Sequence, residues 1–139
     1  MQVIESVHNL ATLENGLVVH RKGTVRARQG EHALVAGTMA APTYAVRGLG
    51  HSATLDSCSH GVGRVLSRGM ANRAFRAAAR AEVLQEARVK VLESAPDEAP
   101  HADRNIKAVI KAQRDIVEPV GRFYPRIVRM CPGGHTAEG

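Results

Sequence analysis

Apolar residues in the first half of the chain come in short runs broken by glycine. Residues 17–20, 33–36 and 43–47 are separated by Gly23, Gly30, Gly37 and Gly48. Runs this short, bounded by residues that turn the chain, predict strands. The pattern then changes. Over residues 65–80, alanine stands at 71, 74, 77, 78 and 79, and Arg73, Arg76 and Arg80 fall at helical spacing, which predicts a helix. Pro96 and Pro100 mark a loop, with Asp97 placed to cap the segment after it. Over residues 103–120, Ile106, Val109, Ile110, Ile116, Val117 and Val120 share one face at helical spacing while Lys107, Lys111 and Arg114 line another, so a second helix is predicted there. Residues 124–130 alternate as a closing strand would. The expected architecture is α/β, a mixed sheet with the two helices packed on it, formed by residues 1–131 as one unit with 132–139 as a flexible tail.

Composition narrows the class of partner. Of 139 residues 44% are apolar, enough for a buried core in one domain, and there is no internal repeat. The net charge of +6 favours a polyanion, because neutralising phosphates releases counterions. With two Phe, two Tyr and no Trp, stacking platforms for bases are scarce, so a nucleic acid would be held mainly by its backbone. Cys58 and Cys131 form no Cys-x-x-Cys pair, which argues against a zinc site or a disulfide framework and suits a reducing compartment. No apolar run approaches the ~20 residues of a membrane span and no signal-peptide pattern opens the chain. The expectation is a cytoplasmic protein with no membrane partner.

The segment Ser59 to Arg68, Ser-His-Gly-Val-Gly-Arg-Val-Leu-Ser-Arg, concentrates the chemistry. Glycines at 61 and 63 let backbone N–H groups approach a ligand, and Arg64 and Arg68, four apart, can converge on one anion. His60 placed among them fits a phosphate site beside an imidazole nucleophile; by itself it would equally fit a turn histidine with no chemical role.

This segment resembles the His-Gly-Ala-Gly-Arg-x-Met-Ser-Arg signature of the RtcB family of RNA ligases, and four further segments resemble that family in the same order. His8-Asn9 resembles its metal-binding His-Asn. Residues 20–27, His-Arg-Lys-Gly-Thr-Val-Arg-Ala, are similar to its His-Arg-Lys-Gly-Ala-Thr-Arg-Ala. Gly37-Thr38-Met39-Ala40 followed by Thr43-Tyr44 resembles Gly-Ser-Met-Gly followed by Ser-Tyr, and Asp97-Glu98-Ala99-Pro100 resembles its Asp-Glu-Ala-Pro. The resemblance runs from about His8 to about Met130.

The resemblance implies that His60 accepts GMP from GTP, that Thr38, Thr43, His60, Gly61, Val62 and Gly63 bind the nucleotide, and that His8 is a ligand of Mn2+. The loop of Arg21, Lys22 and Arg26, together with Arg64 and Arg68, is expected to hold RNA phosphate or the triphosphate. The loop could instead be a basic, solvated turn. The implied substrates are RNA ends bearing a 3′-phosphate or 2′,3′-cyclic phosphate and a 5′-hydroxyl. Relative to the family the chain corresponds to the C-terminal part, so the remaining metal ligands are expected on an N-terminal portion. The chain alone is therefore expected to be inactive as a ligase. The alternative is a non-catalytic nucleotide- or RNA-binding module, or half of a split ligase. Ala40, Pro42, Asp103 and Met130 depart from the family pattern; Asp103 stands where a tyrosine near the guanine is expected, and Met130 at or next to a guanine-reading lysine. Arg129 is the candidate substitute, but arginine and lysine are not interchangeable at a specific contact, so guanine selectivity is in question even if phosphate binding is intact.

Overall fold

The structure is a computed structural model that describes residues 3–65, 77–93 and 103–130. Its strands begin with a hairpin, β1 (Asn9–Glu14) and β2 (Leu17–Lys22), turned at Asn15-Gly16 with both residues at positive φ, as a two-residue hairpin loop requires. Next come β3 (Thr24–Arg26), β4 (His32–Val35) and β5 (Thr43–Gly48), then a 3-10 turn at Ser52–Thr54 and β6 (Ser57–Ser59). Helix α1 (Ala77–Glu86), β7 (Lys90–Glu93), α2 (Ile106–Ala112), β8 (Val117–Phe123) and β9 (Ile127–Arg129) complete the described elements.

All three early strand predictions are realised, as β2 (two residues longer), β4 (the same length, shifted by one position) and β5 (one residue longer). The expectation of one mixed sheet is not. The described strands form four small sheets, of which β1-β2, β3-β6 and β4-β5-β8 are antiparallel and β7-β9 is parallel. The glycine-broken runs are too short to build a wide sheet, and the chain pairs them locally instead.

The helix expected over 103–120 is also corrected. Only Ile106–Ala112 is helical, begun by the Asn105 side chain accepting from the Lys107 N–H and ended at Gln113. Residues 117–123 leave as β8 and pair with β5 from Val117↔Gly48 to Thr43↔Phe123. Pro119 explains the switch: it lacks an N–H and would clash inside a helix, yet it is tolerated on β8, which is the outer strand of its sheet. Val46 pairs with Pro119 and Ala45 with Gly121, so Val120 is an extra, bulged residue, and it is half exposed rather than core. Of the helix expected over 65–80, residues 66–76 lie outside the described residues; α1 covers 77–80 and continues to Glu86. The capping role of Asp97 and the tail from 131 onward likewise fall outside the described residues.

One core joins two of these sheets, β3-β6 and β4-β5-β8. Val25, Ala27, Ala33, Val35, Val46, Cys58, Val62, Ile106, Ile110 and Val117 form a single buried cluster. It draws on β3, β4, β5, β6, α2 and β8, so the loop after β6 is built onto the same core as the strands. Cys58 and Val62 are both buried and bracket His60, fixing where that residue can stand.

Candidate nucleotide-binding site

His60 leaves the end of β6 on a loop whose backbone is held at several points. The Ala36 N–H donates to the His60 carbonyl (2.8 Å), and the Val62 N–H donates to the Ala36 carbonyl (3.1 Å). Gly61 pairs with Ala36 as an isolated parallel bridge, and a Cβ on Gly61 would stand 3.1 Å from the Ala36 carbonyl oxygen, which accounts for glycine there. The sequence therefore places a histidine directly beyond the end of β4, next to the Gly37–Thr43 turn.

The imidazole itself is oriented. Its Nδ1 lies 2.7 Å from the Gly23 carbonyl oxygen. A carbonyl only accepts, so Nδ1 carries the proton in this contact, and the lone pair of the neutral ring resides on Nε2. The same glycine, at φ +75, donates its N–H to the His8 carbonyl (2.8 Å). The His8 ring stacks on the His60 ring with centroids 4.7 Å apart. Two histidines separated by fifty-two positions in the chain are thus brought face to face by one glycine.

On the other side of His60 opens a cleft of about 590 Å³. Thr38, Thr43, His60, Gly61, Val62, Gly63 and Arg64 all line it, so every described residue expected to touch the nucleotide, and one of the expected phosphate-binding arginines, meets in one cavity. Asp103 and Met130, the two departures from the family pattern at the base, line it as well. The Thr38 hydroxyl accepts from the Ala40 N–H (3.2 Å), and the Ala41 N–H donates to the Thr38 carbonyl (3.2 Å), a tight turn that keeps the threonine at the cleft. Phe123 at the end of β8, with Ile127 and Val128 on β9 inside the closing strand expected over 124–130, gives it an apolar wall.

The basic loop divides. Arg21 is buried, and its guanidinium is committed internally: Nη1 and Nη2 to the two carboxylate oxygens of Glu14 (2.5 and 3.1 Å), Nε to Ser57 Oγ (2.9 Å) and Nη2 to the Leu55 carbonyl (2.8 Å). The Arg21 guanidinium beside it is the main reason the Glu14 carboxyl is held down at about 2, with Thr12 and Arg28 adding to the effect. Arg21 thus ties the β1-β2 hairpin to the loop before β6, and its expected place as a phosphate ligand is corrected to a structural one: every donor it has is directed inward. The cause is burial, which forces a charge to find partners within the protein. Arg26 pairs with Glu31 at the surface through two nitrogens (Nη2 2.7 Å), and that pairing raises the one group's pKa and lowers the other's. Lys22 is exposed at the end of β2. Arg68 lies outside the described residues.

Gln113 is a residue beside the site that sequence reasoning missed. Its side chain reaches from the end of α2 to Ser59, the residue before His60. Only the spatial adjacency reveals it, since a glutamine after an alanine-ended helix carries no pattern of its own.

His8 is the one expected ligand, and among the described residues no group of three or more His, Cys, Asp or Glu side chains is placed to hold an ion. The described residues do not by themselves make a metal site.

Comparison with known proteins now bears on this cavity. The family described as tRNA-splicing ligase RtcB matches residues 1–130. The chain belongs to the RtcB family. It is similar to the RNA-splicing ligase RtcB of Escherichia coli (strain K12), 39% identical over 130 residues, which cover 86% of this chain and 30% of that protein. Similarity extends to the tRNA-splicing ligase RtcB of Pyrococcus furiosus, 30% identical over 155 residues covering 90% of this chain and 16% of the relative. The Mycobacterium tuberculosis RNA-splicing ligase RtcB is 30% identical over 145 residues, with 85% of this chain and 34% of the relative covered. The chain therefore spans about a third or less of the length of these RtcB relatives. No helix among the described residues is long and apolar enough to cross a membrane.

Proposed function

We propose that this chain supplies the nucleotide cleft and the nucleotidyl acceptor of an RtcB RNA ligase, which joins an RNA 3′-phosphate or 2′,3′-cyclic phosphate end to a 5′-hydroxyl end. The observation that carries this reading is the 2.7 Å contact from His60 Nδ1 to the Gly23 carbonyl, which leaves Nε2 as the nucleophilic atom beside a cleft built of small and hydroxyl residues. In the first step Nε2 attacks the α-phosphorus of GTP, an N–P bond forms, the bond to the β-phosphate oxygen breaks, and pyrophosphate leaves. As that bond forms, positive charge develops on the ring and the Nδ1 proton becomes more acidic, so the Gly23 carbonyl stabilises the guanylylated imidazolium. The RNA 3′-phosphate oxygen then takes the GMP from His60, and attack by the 5′-hydroxyl on the 3′-phosphate releases GMP. Among the described residues, Arg64 and the backbone N–H groups of Gly61 and Gly63 are placed to meet phosphate charge in the cleft, while the Thr38 and Thr43 hydroxyls hydrogen-bond the nucleotide. The Mn2+ that the family resemblance implies would find His8 here and needs further ligands from elsewhere in an RtcB assembly. In this reading the 139 residues alone bind nucleotide and RNA weakly and do not ligate.

The test is transfer of label from α-labelled GTP, with Mn2+, to the chain combined with an RtcB N-terminal portion. Acid-labile label that vanishes in His60→Ala supports the reading, and label that persists in His60→Ala refutes it. Ligation by the 139 residues alone would refute the incomplete metal shell.

A further inference from the structure

We infer that Gln113 is a positioning residue that sets the orientation of the His60 imidazole, an inference that rests on the acceptor role proposed above for His60. Gln113 caps the C-terminal end of α2, a helix anchored in the core by Ile106 and Ile110. Its Oε1 accepts from the Ser59 N–H (2.7 Å), and its Nε2 donates to Ser59 Oγ (2.7 Å) and to the Val109 carbonyl (3.2 Å). The orientation of the amide is unambiguous: a backbone N–H only donates and therefore needs Oε1, and a carbonyl only accepts and therefore needs Nε2. Both groups of one side chain are thus spent on the residue that immediately precedes His60.

Strand pairing alone would leave that residue loose. Thr24↔Ser59 is the last pair of the β3-β6 ladder, and the next backbone bond, from the His60 N–H to the Gly23 carbonyl, is stretched to 3.3 Å. The ring contact to the same carbonyl is short at 2.7 Å. The β3-β6 ladder therefore holds the His60 N–H only weakly; the Ala36 N–H fixes the His60 carbonyl beyond it (2.8 Å), and the clamp on Ser59 fixes the residue before it. Without the clamp the segment between Ser59 and the Ala36 anchor can turn, the Nδ1 contact loosens, and the tautomer with the proton on Nε2 becomes accessible. That tautomer presents an N–H to the cleft instead of a lone pair. A shift of about 1 Å at a reacting atom lowers rate by as much as ~100-fold, so the guanylylation rate should fall about 10- to 100-fold in Gln113→Leu. Gln113→Glu keeps the length and an acceptor for the Ser59 N–H, and the Ser59 hydroxyl can turn to donate to it; it should lose much less.

The experiment reads the tautomer directly on the 139-residue chain, by imidazole 15N NMR at neutral pH, with the His60 signals assigned by their absence in His60→Ala. The expected result is a predominantly Nδ1–H ring in the parent and in Gln113→Glu, and a mixture in Gln113→Leu. The rate of GMP attachment, measured in parallel with the N-terminal portion supplied, should follow the same order. A cooperatively melting Gln113→Leu protein whose His60 keeps the Nδ1–H tautomer would overturn the inference, since Gln113 would then only cap its helix. If Gln113→Leu does not fold, Gln113→Asn, one methylene too short to reach Ser59 with both atoms, must show the mixed tautomer, and an unchanged ring there overturns the inference equally. A tautomer that responds to Gln113 in a chain that never accepts GMP would sustain the positioning role and defeat the acceptor assignment, so the two failures are distinguishable.

Discussion

Replacing Gly37 by alanine tests whether the turn from 37 to 43 is as close as the cleft requires. A Cβ at Gly37 would stand 2.8 Å from the Ala41 carbonyl oxygen and closer still to that of Pro42, and both are backbone atoms that no rotamer change can move. The turn would have to open by roughly 1 Å to restore contact distance. Overpacking of this kind costs about 1–3 kcal/mol. At about 4 °C per kcal/mol for a chain of this size, the melting temperature should fall by roughly 4–12 °C. Opening the turn also withdraws the Thr38 hydroxyl, and Thr43 at its far end, from the cleft they both line. Each lost hydrogen bond is worth about 1 kcal/mol, so nucleotide affinity should weaken ~5-fold if one is lost and ~30-fold if both are. Thermal melting with titration of a fluorescent guanine nucleotide measures the two effects on one sample. Gly16→Ala is the control: it stands at φ +80 with nothing within 4 Å of the added carbon, so strain of about 1–2 kcal/mol should lower its melting temperature and leave nucleotide affinity unchanged. A Gly37→Ala protein that melts and binds like the parent would refute the close approach of residues 37 and 42, and with it the account of how Thr38 is placed.

Arg21→Met should lower the melting temperature and leave RNA affinity per folded molecule unchanged, whereas Lys22→Ala should do the reverse; loss of RNA binding in a fully folded Arg21→Met protein would restore Arg21 as a phosphate ligand. The Glu14 carboxyl is held at about 2 against an ordinary 4.5, so its stabilising contribution is complete above about pH 4.5 and is lost as pH falls toward about 2. The difference in melting temperature between the parent and Glu14→Gln should therefore close over that interval, and a difference that persists at pH 2 would contradict the ion pair. Burial pushes the Cys58 thiol up to about 11, so at pH 8 it should react with a thiol reagent only as fast as the protein unfolds. Reaction at the rate of a free thiol in the folded protein would place Cys58 outside the core.

The sequence alone determined β2, β4 and β5, because glycines at 23, 30, 37 and 48 bound runs whose length and composition admit little else; β1 and β3 went unread. The residues that the family resemblance groups around the nucleotide, Thr38, Thr43 and His60 to Arg64, line one cavity with Asp103 and Met130. Three things were decided only in three dimensions. Val117 and Val120 fit a helical stripe, and Pro119 together with the open edge of β5 drew that segment into a strand, because a partner's hydrogen-bonding edge is invisible to periodicity. Arg21, Lys22 and Arg26 read as one basic cluster, yet Arg21 points inward to Glu14 and Lys22 outward, since alternation along a strand separates neighbours that composition groups together. Gln113 and Ser59 are fifty-four positions apart and have no local signature. Their pairing exists because α2 and the end of β6 pack on the same core, and hydrogen bonds that connect two elements are set by that packing and not by either stretch of sequence.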